Sequence, residues 1–178
     1  METQISKITT VINYNRVNEI IQEAGVVLLD RFNKCNSRHL EGIDTGYVKE
    51  KAEKELVIRE DLISQDLVIK GIKEIAPDAV IYSEELNNVH LLQEDRNEVK
   101  FILDPLDGTH NFYFGMPYWG IGLAVLNKHN ESISGFIYLP ALNIFIKNEG
   151  NNSSTLLKNG NDWIKCSTTA RPLEKSII

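Results

Sequence analysis

The stretch from Phe101 to Leu126, FILDPLDGTHNFYFGMPYWGIGLAVL, limits what this chain can fold into more than any other. Phe101, Ile102 and Leu103 read as the end of a buried strand. Asp104 and Asp107 follow at once, with Pro105 and Leu106 between them. Pro105 fixes its own φ and drives Asp104 into extended backbone. Gly108 permits a turn that a side chain would obstruct. A second apolar run, Trp119 to Leu126, returns the chain to a core. The expected result is two aspartates held side by side at a strand end. Their mutual repulsion calls for an opposing charge, and hard oxygen ligands favour magnesium, calcium or manganese. Thr109 is placed to orient a water beside such an ion. The backbone N–H groups of Gly108 and Thr109 would face a phosphate if a helix starts there. The same residues also suit a metal-free, Asp-rich turn that caps a helix. An EF-hand is excluded, because the D-x-D-x-D-G spacing and the later Glu are absent.

The rest of the chain surrounds this stretch with two helices and a set of strands. Val17, Ile20, Ile21, Ala24, Leu28 and Phe32 recur at helical spacing and predict an amphipathic helix over Asn13 to Asn33. Asn36 to Tyr47 reads as a loop, with His39 a solvated surface residue. The charged run Lys49 to Glu60 reads as a solvated helix face. A second helix is predicted over Leu62 to Ala76, stopped by Pro77, with Asp61 as its N-cap. Val80 to Tyr82 is a short strand ending in Ser83-Glu84-Glu85. Adjacent glutamates on extended chain point opposite ways, so one at most serves a site beneath them; both also suit an exposed acidic loop. Asn87 to Glu98 is a polar excursion. Ile133 to Leu139 and Asn143 to Lys147 suggest an antiparallel meander. Glu149 to Ser154 reads as a loop and Asn159-Gly160 as a turn.

Several function classes drop out. The net charge is −6 and no basic stripe occurs, which argues against nucleic acid as a partner. Gly120 and Gly122 lie inside a strand pattern and not before a helix, so they form no dinucleotide fingerprint. No Ser-His-Asp or Cys-His arrangement offers a protein nucleophile. The start, METQISKITTVI, is no signal peptide, and no run is long enough to span a membrane. Cys35 and Cys166 lie far apart without a CxxC, which suits free thiols in a reducing cytoplasm. A length of 178 residues fits one domain with a sizeable core.

Asp104-Pro105-Leu106-Asp107-Gly108-Thr109, followed by Asn111-Phe112 and Gly115-x-Pro117, resembles the signature of the inositol monophosphatase family. PDAVIYSEE, Pro77 to Glu85, resembles that family's proline, short strand and Glu-Glu pair. The resemblance runs from about Glu55 to Ile178. It implies an α+β fold: a helix pair packed on an antiparallel meander, like the first half of a layered αβαβα sugar phosphatase. It implies a magnesium-dependent, lithium-sensitive phosphomonoesterase, with manganese as an alternative ion. Glu84, Asp104, the Leu106 carbonyl and Asp107 would hold metal. Glu84 and Thr109 would position water, and the Gly108 and Thr109 amides would receive phosphate beside Asp107. An ungapped count back from Glu84 puts Asp61 at a further metal-site aspartate. The same count puts Ile58 where relatives usually carry a threonine that helps activate water, a departure that counts against ordinary activity. Glycine is usual where Ser83 stands.

The substrate implied is a small phosphorylated sugar or cyclitol. Family members often dimerise, which leaves a homodimer open. The family's W-D-x-x-A-G segment has no counterpart here, since neither Trp119 nor Trp163 precedes an aspartate. The expectation is therefore a single N-terminal α+β domain over residues 1–178, without the C-terminal α/β half, with impaired activity and an exposed apolar patch. The alternative is a non-catalytic remnant or interaction module that retains a partial metal or phosphate site.

Overall fold

A computed structural model describes residues 12–40, 48–50, 56–86, 88, 99–150, 155–159 and 162–166. Helix α1 runs from Tyr14 to Leu40. Asn13 caps it, its Oδ1 accepting the Arg16 N–H at 3.1 Å. Val17, Ile20, Ile21, Ala24, Leu28 and Phe32 are all buried, so the helical spacing marks the true inner face. Helix α2, Arg59–Ile75, crosses it. The crossing is close at Gly71, where a Cβ would stand 2.7 Å from the Ile20 side chain. Arg31 of α1 also meets Glu60 of α2 in a part-buried ion pair at 2.9 Å.

The helices cover one face of a seven-stranded sheet. Its strands, in spatial and chain order, are β3 (Val80–Ser83), β4 (Val99–Asp107), β5 (Gly120–Asn127), β6 (Ser132–Leu139), β7 (Ile144–Glu149), β8 (Leu156–Asn159) and β9 (Asp162–Lys165). From β4 onward every pair is antiparallel, the expected meander. The edge strand β3 instead lies parallel to β4, which makes the sheet mixed. Strand alternation sends Phe101, Leu103, Ile121, Leu123, Val125, Phe136 and Phe145 into the core under the helices. Phe32, Phe112 and Trp119 close one end of that core, with ring centroids 4.9–5.3 Å apart.

The opposite face of the sheet carries small and apolar residues. Gly122, Ala124 and Gly135 floor an open groove of about 390 Å³, edged by Ile102, Ile137 and Ile146. Ile137 and Ile164 are about half exposed, as expected for an apolar patch. The groove reaches Asp104.

Two readings change. Much of the described part of the charged run is strand, not helix: β1 (Val48–Glu50) pairs antiparallel with β2 (Leu56–Ile58), Arg59 and Glu60 open α2, and 51–55 lie outside the described residues. The apolar triplet Leu56-Val57-Ile58 prevails over the lysines and glutamates around it. Helix α1 also continues through the first part of the expected 36–47 loop, to Leu40. The start of the chain to 11, the rest of that loop, most of the 87–98 excursion, 151–154 and Gly160 lie outside the described residues, as do the side chains of Cys35 and His39. Among the described residues, no helix is long and apolar enough to cross a membrane.

Candidate functional site

The parallel pairing of β3 with β4 sets Ser83 opposite Leu103, so the next residues, Glu84 and Asp104, emerge side by side. Glu84 opens a 3₁₀ turn, Glu84–Leu86, and is exposed, whereas Asp104 is half-buried. Burial first, then the charges of Glu84 and Asp107, push the Asp104 carboxyl up to about 7. The Leu106 N–H, donating to Asp104 Oδ1 at 3.2 Å, acts in the opposite direction.

Between Asp104 and Asp107 the ladder breaks register. Asp104 pairs with Gly122 and Asp107 with Gly120, so one extra residue of β4 bulges out. A proline is tolerated there because it has no N–H to lose. The bulge brings Asp107 to the surface at the sheet's end. Thr109 then begins the short helix α3, Thr109–Tyr113. His110, in its first turn, is exposed.

Asp61 enters from α2, as its third residue and not as the N-cap. Ile58 occupies the N-cap and has no hydroxyl to offer, so the reciprocal cap is only half made. The Ile58 N–H donates to Asp61 Oδ2 at 2.7 Å. Thr109 Oγ1 lies 3.0 Å from both Asp61 Oδ1 and the Leu106 carbonyl, and its single hydrogen can serve one of them at a time. Asp61 is 1% exposed, and burial pushes its carboxyl up to about 7 against those two hydrogen bonds.

Gly108 makes the corner. Its φ is +82°, and a Cβ there would stand 2.8 Å from the Tyr118 carbonyl oxygen, which accepts the Asn111 side-chain N–H at 2.6 Å. Gly108→Ala is expected to lower stability by about 2 kcal/mol, from left-handed strain and displacement of that carbonyl. Thermal denaturation would read this as a drop of about 4–8 °C. An unchanged melting temperature would mean that the corner relaxes freely.

The structure thus brings Glu84, Asp104, Leu106, Asp107, Gly108, Thr109 and Asp61 to one end of the sheet. Among the described residues, no three carboxylate, imidazole or thiolate groups converge closely enough to clasp an ion. The chemistry of the donor set nevertheless fits one. The charges of Glu84 and Asp107 both press on Asp104, a repulsion that a divalent cation would relieve, and Asp107 is exposed. Asp61 is already engaged by Ile58 and Thr109, which places it behind this set. Sequence reasoning missed Ser64, whose hydroxyl donates to the Pro105 carbonyl at 2.6 Å inside the bulge. Its one available signal was its spacing, one helical turn after Asp61.

The layered helix-pair-on-sheet arrangement places the chain in a known class of α+β folds. It superposes on the extragenic suppressor protein SuhB of Bartonella henselae with a TM-score of 0.71, at 22% identity, covering 89% of this chain and 55% of that one. The model of the inositol monophosphatase family matches residues 11–178, and the chain belongs to that family. It is 30% identical over 116 residues to the fructose-1,6-bisphosphatase/inositol-1-monophosphatase of Aquifex aeolicus, a match covering 65% of this chain and 39% of the relative. It is 33% identical over 94 residues to the Nus factor SuhB of Haemophilus influenzae, covering 53% and 34%. Each match therefore takes in little more than half of the other protein, or less.

Proposed function

We propose that the chain carries part of a magnesium-dependent phosphomonoesterase site acting on a small phosphorylated sugar or cyclitol. The observation that carries this reading is the pairing of Glu84 with Asp104 at the ends of two parallel strands, beside the Asp104–Asp107 bulge. Glu84, Asp104, the Leu106 carbonyl and Asp107 would hold magnesium or manganese. When bound, the ion supplies charge neutralisation for the phosphate and for the departing alkoxide. Glu84 and Thr109 orient the attacking water, with Asp61 holding the Thr109 hydroxyl in place. The Gly108 and Thr109 amides, at the tight corner before α3, receive phosphate oxygens. Residues 1–178 form one domain in this reading, cytoplasmic and open to homodimerisation. Exclusion of nucleic acid rests on net charge alone.

Calorimetry tests the site. The double variant Asp104→Asn with Asp107→Asn is expected to lose magnesium and manganese binding. Its metal-free melting temperature should match the wild type or exceed it slightly, because repelling charges are removed. Equal metal affinity in both proteins would sink the assignment.

The match to proteins named Nus factor SuhB favours a second reading, a non-catalytic interaction module that keeps a partial metal or phosphate site. Ile58, in place of a hydroxyl residue, supports it. The two readings separate on residual turnover, slow in the first and absent in the second, since both retain metal binding.

A further inference from the structure

We propose that Ser64 is a positioning residue that orients the Asp104 carboxylate from behind the sheet, through one peptide unit of the bulge. The proposal rests on the metal-site reading above. The Pro105 carbonyl and the Leu106 N–H belong to the same planar peptide and point in opposite directions. The Ser64 hydroxyl donates to that carbonyl at 2.6 Å, and Asp104 Oδ1 accepts from that N–H at 3.2 Å. The peptide is therefore gripped at both ends, from α2 on one side and by a candidate ligand on the other. Any rotation that frees the carbonyl also swings the amide away from Asp104.

Thr109 also holds the bulge, at the Leu106 carbonyl, from only three residues along the chain. Ser64 comes from 41 residues away and is fully buried, so it ties the bulge to the helical layer. A serine inside a helix commonly returns its hydroxyl to a carbonyl one turn back. This one reaches out of its helix to a carbonyl inside the bulge of β4. Asp61 lies one turn earlier on the same helix, so one face of α2 supports both Thr109 and the bulge.

The test titrates manganese into the 178-residue chain, followed by calorimetry at a temperature where circular dichroism shows every variant folded. Ser64→Ala is expected to weaken manganese binding by about tenfold, the lower end of what loss of a ligand's supporting contact does. Ile72→Val, a buried change two turns along the same helix, should lower the melting temperature and leave manganese affinity unchanged. If Ser64→Ala does not fold, Ser64→Cys takes its place, keeping the volume with a much weaker donor. Wild-type affinity in the Ser64 variant overturns the proposal and leaves the metal site standing, provided that the Asp104/Asp107 double variant has lost binding. Equal weakening in Ser64→Ala and Ile72→Val also overturns it, since general loosening would then explain both. No manganese binding by the wild type overturns the site reading and this proposal together.

Discussion

Phosphate release from inositol-1-phosphate or fructose-1,6-bisphosphate by the 178-residue chain, in excess magnesium, is expected to run at least about a hundredfold below that of a full-length family member. The candidate carboxylates lie at one end of one sheet, and among the described residues no three such groups converge to hold an ion. Glu84 and Asp107 are exposed to water, which weakens each electrostatic contact they make. Loss of one oxyanion or metal contact typically slows an enzyme by a hundredfold or more. Ile58 removes a further hydroxyl beside Asp61. The assay is phosphate release with and without lithium. Robust, lithium-sensitive turnover by the pure chain would refute the expectation and show that the described residues suffice or that a second copy completes them.

The second large effect concerns stability against pH. Without metal, the protein is expected to lose stability as pH rises from 5 to 8. Asp61 has an ordinary carboxyl value of 3.8 and is pushed up to about 7 in the folded chain. The folded state therefore holds a proton that the unfolded chain has released, and the proton's contribution disappears as pH passes through 7. At about 1.4 kcal/mol per tenfold change in proton affinity, the ceiling for Asp61 is about 4 kcal/mol. Asp104, half-exposed, adds in the same direction and less. Thermal unfolding should show a melting temperature lower by about 10 °C at pH 8 than at pH 5. Asp61→Asn should flatten much of that slope, since an amide fills the same space, accepts from the Ile58 N–H and carries no charge to desolvate. Saturating magnesium should oppose the slope, because in the proposed reading it is held by the ionised Asp104. A flat wild-type profile, or a slope untouched by Asp61→Asn, would mean that Asp61 is ionised in the fold.

Much of this was legible in the sequence, for identifiable reasons. Pro105 restricts the backbone and Gly108 frees it for a corner, so the string around them could be read as two carboxylates at a strand end. The spacing of Val17 to Phe32 marked the inner face of α1 because burial selects on a 3.6-residue period. The hairpin before α2 was missed because charge density was weighed above the strand-forming triplet Leu56-Val57-Ile58. The bulge was invisible, since register depends on which residues of β5 stand opposite, and no local signal carries that. The parallel pairing that joins Glu84 to Asp104 depends on a crossover between β3 and β4, again beyond local pattern. Ser64 looks like any helical serine until its distant acceptor is known.

The edge position of β3 has a consequence for how the molecule breathes. Among the described residues, strand β3 is hydrogen-bonded on one side only, to β4, while β4 lies between two neighbours. Strands of that kind open in brief local excursions well before the whole domain melts. The meander from β4 to β7 joins near neighbours in sequence, whereas the β3–β4 pair must close a longer loop, which delays its formation. An ion shared between Glu84 and Asp104 would act as a latch on this strand, and amide protons of β3 would exchange with solvent more slowly as the ion's concentration rises.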